Sequence, residues 1–188
     1  MQQSFKATLR STAPFLMNNG RLANPMDTFA RAIKKITAKR HKTEADFEEL
    51  AKLEWHGSLY LKNGKPCLPA LMLDACLING AKKVKKGMQA KAGLFSIDDF
   101  VLHHDGPETI AALWETERFR FTIGCRLQGK ATIMRTRPRF DTWSADIEIA
   151  FNDEALNASD IREFLLIAGR DVGIGNWRPR FGRFEMIT

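Results

Sequence analysis

The sequence predicts an α+β fold: an antiparallel sheet, two packed helices and a helical insertion. Three observations carry this reading. Apolar and polar residues alternate at period two near the start, between 118 and 126 and again between 144 and 151, the mark of strands that bury one face. Two stretches, 68–78 and 159–168, carry the apolar content of helices packed on such a sheet. A third helical stretch, 24–53, has a thin apolar stripe and a dense basic run, as expected of an insertion projecting from a core. At 188 residues and 44% hydrophobic content, the chain is long enough for one real core. It therefore reads as a single domain over 1–188 with the insertion at about 24–54.

Taken in order, residues 4–10 set Phe5, Ala7 and Leu9 against Lys6, Thr8 and Arg10, a half-buried strand ended by Pro14 and Asn18-Asn19-Gly20. Phe29, Ile33 and Ile36 then recur at helical spacing. Phe47, Leu50 and Leu53 repeat the pattern behind Thr43 as N-cap. The basic run Lys34, Lys35, Lys39, Arg40, His41 and Lys42 lies between them. Residues 55–61 are predicted as a strand, followed by a turn at Asn63-Gly64. Pro69 opens a helix that is apolar nearly all round, hence buried, and that breaks at Asn79-Gly80 before the cluster Lys82, Lys83, Lys85, Lys86 and Lys91.

A strand is expected over 95–101 and a loop over 103–107. The clearest β region is 118–151: Phe119, Phe121, Ile123 and Cys125 alternate with polar neighbours, as do Ala145, Ile147, Ile149 and Phe151. Between them Arg135, Arg137 and Arg139 fall at period two, so a strand here projects a row of arginines from one side before Pro138 interrupts pairing. Ser159 and Asp160 start the last helix, whose stripe is Ile161, Phe164, Leu165 and Ala168. A glycine-rich loop with Trp177, Arg178, Arg180 and Arg183 leads to a short closing strand. The order of elements resembles a ferredoxin-like (RRM-like) βαββαβ sheet with elaborations between elements.

The formal charge of +7 and pI near 9.5 favour a polyanionic partner. Cys67, Cys76 and Cys125 form an odd set without CxxC spacing, which argues against a disulfide framework or a cysteine zinc site and points to a reducing compartment. The adjacent pair His103-His104 is a poor metal signature, since neighbours on an extended chain point to opposite faces. Neither a metal nor a cofactor is expected. No leader-like segment and no run of roughly 18 apolar residues is present, so the expected location is cytoplasmic, with no membrane partner.

Three stretches carry a family resemblance: Leu9-Arg10-Ser11-Thr12-Ala13-Pro14-Phe15-Leu16-Met17-Asn18-Asn19-Gly20, Gly64-Lys65-Pro66-Cys67-Leu68-Pro69-Ala70-Leu71-Met72-Leu73-Asp74-Ala75, and Gly173-Ile174-Gly175-Asn176-Trp177-Arg178-Pro179-Arg180-Phe181-Gly182-Arg183-Phe184. Together they resemble the first strand end, the entry to the first palm helix and the C-terminal glycine-rich loop of the RAMP superfamily of CRISPR-associated RNA-binding proteins, backbone-subunit type. Ala70-Leu71-Met72-Leu73-Asp74 departs from the small-residue and basic start that the family has at this helix, and the lysines from Lys82 to Lys86 stand one or two turns later. The resemblance implies a palm that holds single-stranded RNA, or single-stranded DNA, without sequence preference, in a small solitary member of the kind a phage encodes. Head-to-tail self-association along the strand and contact with CRISPR effector proteins follow from the same resemblance.

The expected nucleic-acid contacts are Arg178, Arg180 and Arg183, the row Arg135, Arg137 and Arg139, the lysines Lys82, Lys83, Lys85 and Lys86, and Lys34, Lys35, Lys39 and Arg40 on the insertion. Trp177 reads equally as a base-stacking platform and as a core residue closing the loop. The leading expectation is a non-catalytic binder. Two alternatives stay open: a decoy docking on a CRISPR effector, and a metal-dependent endoribonuclease, for which the resemblance points by chain position to Asp27; in the family's RNA-processing type a histidine serves as general base, and His41 or His56 stand for it by chain position. Asp27 is equally an N-cap in front of Thr28.

Overall fold

A computed structural model describes residues 1–126 and 132–187 of the chain. Its strands are β1 (Gln2–Ser11), β2 (Phe15–Leu16), β3 (Leu61–Lys62), β4 (Lys65–Leu68), β5 (Leu94–Ser96), β6 (Phe100–Val101), β7 (His103–His104), β8 (Arg120–Arg126), β9 (Thr132–Phe140), β10 (Trp143–Asn152) and β11 (Phe184–Ile187). The α-helices are α1 (Thr28–Thr37), α2 (Glu44–Ser58), α3 (Ala70–Lys83), α4 (Gly87–Gly93), α5 (Ile110–Glu115) and α6 (Ala158–Ile167). The chain forms two compact units: Met1–Leu16, Leu61–Gly106 and Phe140–Thr188 make the first, Met17–Tyr60 and Pro107–Arg139 the second.

In the first unit the sheet runs β11-β1-β10-β5 with every neighbour antiparallel. With α3 between β1 and β5 and α6 between β10 and β11, this is the βαββαβ order 4-1-3-2 of a ferredoxin-like sheet. The long pairing of β1 with β10, from Gln2↔Asn152 to Arg10↔Ser144, follows from the alternation in both strands. Leu9, Ala145, Ile147 and Ile149 are buried on one face. The other face carries cross-strand polar pairs: Lys6 with Glu148 at 3.5 Å, the Thr8 hydroxyl donating to Asp146 at 2.6 Å, and Arg10 Nε donating to Glu185 at 2.8 Å.

The helix α3 does not break at Asn79-Gly80. A Cβ on Gly80 would stand 2.8 Å from the Phe164 carbonyl oxygen, so this glycine lets α3 pack directly on α6. The helix runs on to Lys83 and ends in a Schellman motif, with the Lys86 amide donating to Ala81 at 2.9 Å and the Lys85 amide to Lys82 at 3.2 Å. Nor is α3 buried all round. Leu73, Cys76, Leu77 and Ala81 face the core, while Leu71 is exposed. The last helix begins earlier than Ser159: Asn157 caps it, in a reciprocal box with Asp160 at N3.

The stretch 95–101 is two short strands. Between β5 and β6 the chain turns so that the Asp99 carboxylate accepts the Ala70 amide at 2.8 Å, capping α3. His103 and His104 are not loop but a short strand opposite Ser144 and Trp143, with the His104 ring 5.2 Å from Phe140. Asn63 and Gly64, both at positive φ, make the turn between β3 and β4.

In the second unit α1 and α2 accompany the β8–β9 hairpin, whose register runs from Arg120↔Pro138 to Arg126↔Thr132. The expected strand over 55–61 is corrected: Trp55 to Ser58 are the last turn of α2, and only Leu61 lies in a strand. Thr43 and Asp46 start α2 with a capping box, and the Trp55 indole donates to the Phe119 carbonyl at 2.7 Å, which holds the helical continuation in place. Pro138 does not interrupt β9. The Thr136 amide points out of the hairpin to Glu54 at 3.0 Å, so the nitrogen two residues on points outward as well and no bond between β8 and β9 is lost. The Pro138 carbonyl accepts the Met17 amide at 3.0 Å.

Candidate nucleic-acid interface

The C-terminal loop leaves α6 through the wide turn Ala168–Val172 and returns to β11 at Phe184. Its backbone is tied down at both ends and in the middle. The Asn176 amide donates to Leu16 at 2.8 Å, the Gly182 amide to Pro14 at 2.7 Å, and the Ile174 amide to Gly182 at 2.9 Å. The Thr12 amide donates to the Arg183 carbonyl at 2.9 Å, which joins the loop to the end of β1. Ile174 and Phe181 turn inward and are buried.

Positive φ at Gly173, Gly175 and Gly182 permits this path, and Gly175 shows why a side chain is excluded. A Cβ there would lie 2.5 Å from Phe15 Cε2 and 2.6 Å from the Leu16 carbonyl oxygen. At the tip, Trp177, Arg178, Pro179 and Arg180 are all exposed, as is Arg183. Trp177 is the exception to the glycine rule: its φ is +56° although it carries a large side chain. That conformation costs about 1 kcal/mol or more. Its ring is 38% exposed and meets Phe181 edge-on at 6.3 Å. Of the arginines, Arg183 gives its Nε to the Pro179 carbonyl at 2.8 Å and so keeps its terminal nitrogens for other acceptors.

Arg135, Arg137 and Arg139 do share one face of β9, half-buried. Arg135 is bonded to the buried carboxylate of Glu54, a partner for which the sequence offered no local signal. Arg137 has its Nε and Nη1 buried with no hydrogen-bond partner among the described residues, and burial lowers its pKa. Arg139 lies over the Phe121 ring at 5.4 Å.

The lysines after α3 divide. Lys83 pairs with Asp171 at 3.7 Å and Lys86 with Asp160 at 2.5 Å, where the Lys86 ammonium holds the Asp160 carboxyl below its ordinary range. Lys82 donates to Asn79 at 3.0 Å, and Lys82 and Lys85 are both exposed. On the insertion Lys34, Lys35 and Arg40 are exposed, whereas Lys39 donates to Asp46 at 2.5 Å and its pKa is raised by that bond.

Of the catalytic candidates, His41 is exposed, and Asp27 and His56 make structural contacts. Asp27 caps α1, accepting the Phe29 amide at 2.8 Å, and binds Arg21 at 2.8 Å. His56 is half-buried with its ring 4.9 Å from Trp55 and 5.9 Å from Trp114, and burial lowers its pKa. Among the described residues no three His, Cys, Asp or Glu side chains are grouped to hold a metal ion, and no helix is long and apolar enough to cross a membrane.

No family model and no curated protein matches the chain. Among solved structures it is similar to the crystal structure of Cmr6 from Pyrococcus furiosus, at a TM-score of 0.39 and 10% sequence identity, over 100% of this chain and 99% of that one.

Proposed function

We propose that the chain is a non-catalytic, RAMP-type binder of single-stranded nucleic acid, RNA first, and that the C-terminal loop is its grip. The observation that carries the reading is a loop held by backbone bonds to Pro14 and Leu16 that nonetheless turns Trp177, Arg178, Arg180 and Arg183 to solvent. A surface arginine costs little, but a tryptophan kept at positive φ and 38% exposed costs conformational energy with no full burial in return. Forked guanidinium donors fit phosphate oxygens, and an indole face stacks on any unpaired base. That combination favours single strands over duplexes and asks for no particular sequence.

The carboxylate of Asp27 is committed to its helix cap and to Arg21, in keeping with binding rather than cleavage. The RAMP resemblance extends the proposal to head-to-tail association along the strand and to CRISPR effector proteins as partners. The test is ultraviolet crosslinking to an oligonucleotide carrying 5-iodouridine, followed by mass spectrometry. Crosslinks should concentrate on the peptide containing Trp177, and crosslinks confined to other segments would remove the loop from the interface.

A further inference from the structure

We infer that the groove between α3 and α4 is a docking site for an acidic, amphipathic segment of a partner protein. Its floor is apolar and open: Ala75 and Ile78 from α3 and Met88 from α4 line a groove of about 570 Å³. Leu71, four residues before Ala75 and so on the same helical face, extends the apolar strip. Leu71 is 82% exposed and Met88 80%, high values for large apolar side chains. The rim is cationic. Lys82, Lys85 and Lys91 line the groove, and no acidic residue does.

Charge complementarity selects the occupant. A strip of exposed aliphatic and thioether side chains gives a phosphate backbone nothing to bond, while it buries the apolar face of a helix. Lysines along its edge then meet carboxylates flanking that face, not phosphates. A segment with Leu or Met at helical spacing and Asp or Glu beside them satisfies both features.

Lys85 supplies an independent sign that the rim charge has a use. It occupies the left-handed position after α3 with φ +61°, where glycine carries no steric penalty. A lysine kept at this point gives up stability and presents an ammonium at the groove.

The experiment uses the full chain and a fluorescein-labelled 18-residue helical peptide with Leu and Met on one face and Glu flanking it, read by anisotropy. Binding should weaken more than tenfold in Lys82→Glu/Lys85→Glu/Lys91→Glu and in Leu71→Ser/Met88→Ser. Lys85→Gly should weaken binding several-fold while its Tm stays at or above wild type, which separates the charge from the fold. Arg178→Ala/Arg180→Ala/Arg183→Ala should bind the peptide as wild type does, so the groove and the nucleic-acid loop fail or stand separately. The inference is overturned if the peptide does not bind, if a scrambled peptide or oligoglutamate binds equally, or if single-stranded RNA displaces the peptide and loses affinity with the lysine reversals. A dimer in sedimentation that Met88→Ser dissolves would make the occupant a second copy and overturn it as well.

Discussion

Gly175→Ala tests the bracing of the C-terminal loop while leaving every arginine in place. The added methyl group would lie 2.6 Å from the Leu16 carbonyl oxygen and 2.5 Å from Phe15 Cε2, where ordinary van der Waals approach begins near 3.4 Å. The Leu16 oxygen is backbone and already accepts the Asn176 amide at 2.8 Å, so it cannot withdraw without breaking that bond. The φ of +75° adds a left-handed penalty of roughly 1–2 kcal/mol, and overpacking adds about 1–3 more. A loss of about 3 kcal/mol follows from the two together. Urea unfolding followed by circular dichroism reads it directly. Gly20→Ala is the matched control, because no atom lies within 4 Å of a Cβ there and its φ is not positive. It should be neutral or gain about 0.5 kcal/mol. Under conditions where both variants remain folded, Gly175→Ala should also lose affinity for single-stranded RNA while Gly20→Ala keeps it. Equal stability of the two variants would refute the braced loop.

Other consequences test the surroundings of the site. Glu54 is buried and accepts both Arg135 and the Thr136 amide, so Glu54→Ala should cost about 3 kcal/mol, and Glu54→Gln markedly less, by urea unfolding. Burial lowers the pKa of His56 in the folded chain below its ordinary 6.5, so the unfolded chain takes up that proton first. Stability should therefore rise with pH through the region just below 6.5 and fall as pH drops, and His56→Gln should flatten this part of a Tm-against-pH series. Asp27→Ala should cost about 1 kcal/mol as a lost N-cap and leave the fate of labelled RNA incubated with Mg²⁺ unchanged from wild type. Metal-dependent cleavage by wild type that this variant abolishes would restore the catalytic reading.

The sheet was legible wherever one strand face is buried and the other wet. Phe5-Ala7-Leu9 and Ala145-Ile147-Ile149 announce β1 and β10, and Thr43 announces the cap of α2. Four places were not, and each was decided by a remote part of the chain. Trp55 to Ser58 continue a helix under the hold of a carbonyl 64 residues away, where local β-propensity pointed to a strand. Gly80 looks like a break and is a close approach to α6. Pro138 is tolerated because of the direction its nitrogen faces, which depends on hairpin register. Leu71 belongs to an apolar run yet lies outside the core, since a helix packed on one face of a sheet buries only one of its own faces.

The candidate site divides in the same way. The glycines and arginines of the C-terminal loop are visible in the sequence, and the exposure of Trp177, Arg178, Arg180 and Arg183 agrees with that pattern. The arginine row of β9 was visible too, but its answering carboxylate, Glu54, lies 81 residues before Arg135. Sequence periodicity shows which side chains share a face and says nothing about what stands opposite.

The salt dependence of single-stranded RNA affinity tests the central proposal most directly. Each phosphate neutralised on a single strand contributes about −0.7 to the slope of log K against log salt concentration. Arg178→Ala/Arg180→Ala/Arg183→Ala should therefore bind more weakly and with a slope shallower by about 2 than wild type. Parallel slopes with unchanged affinity would show that the loop does not hold phosphate.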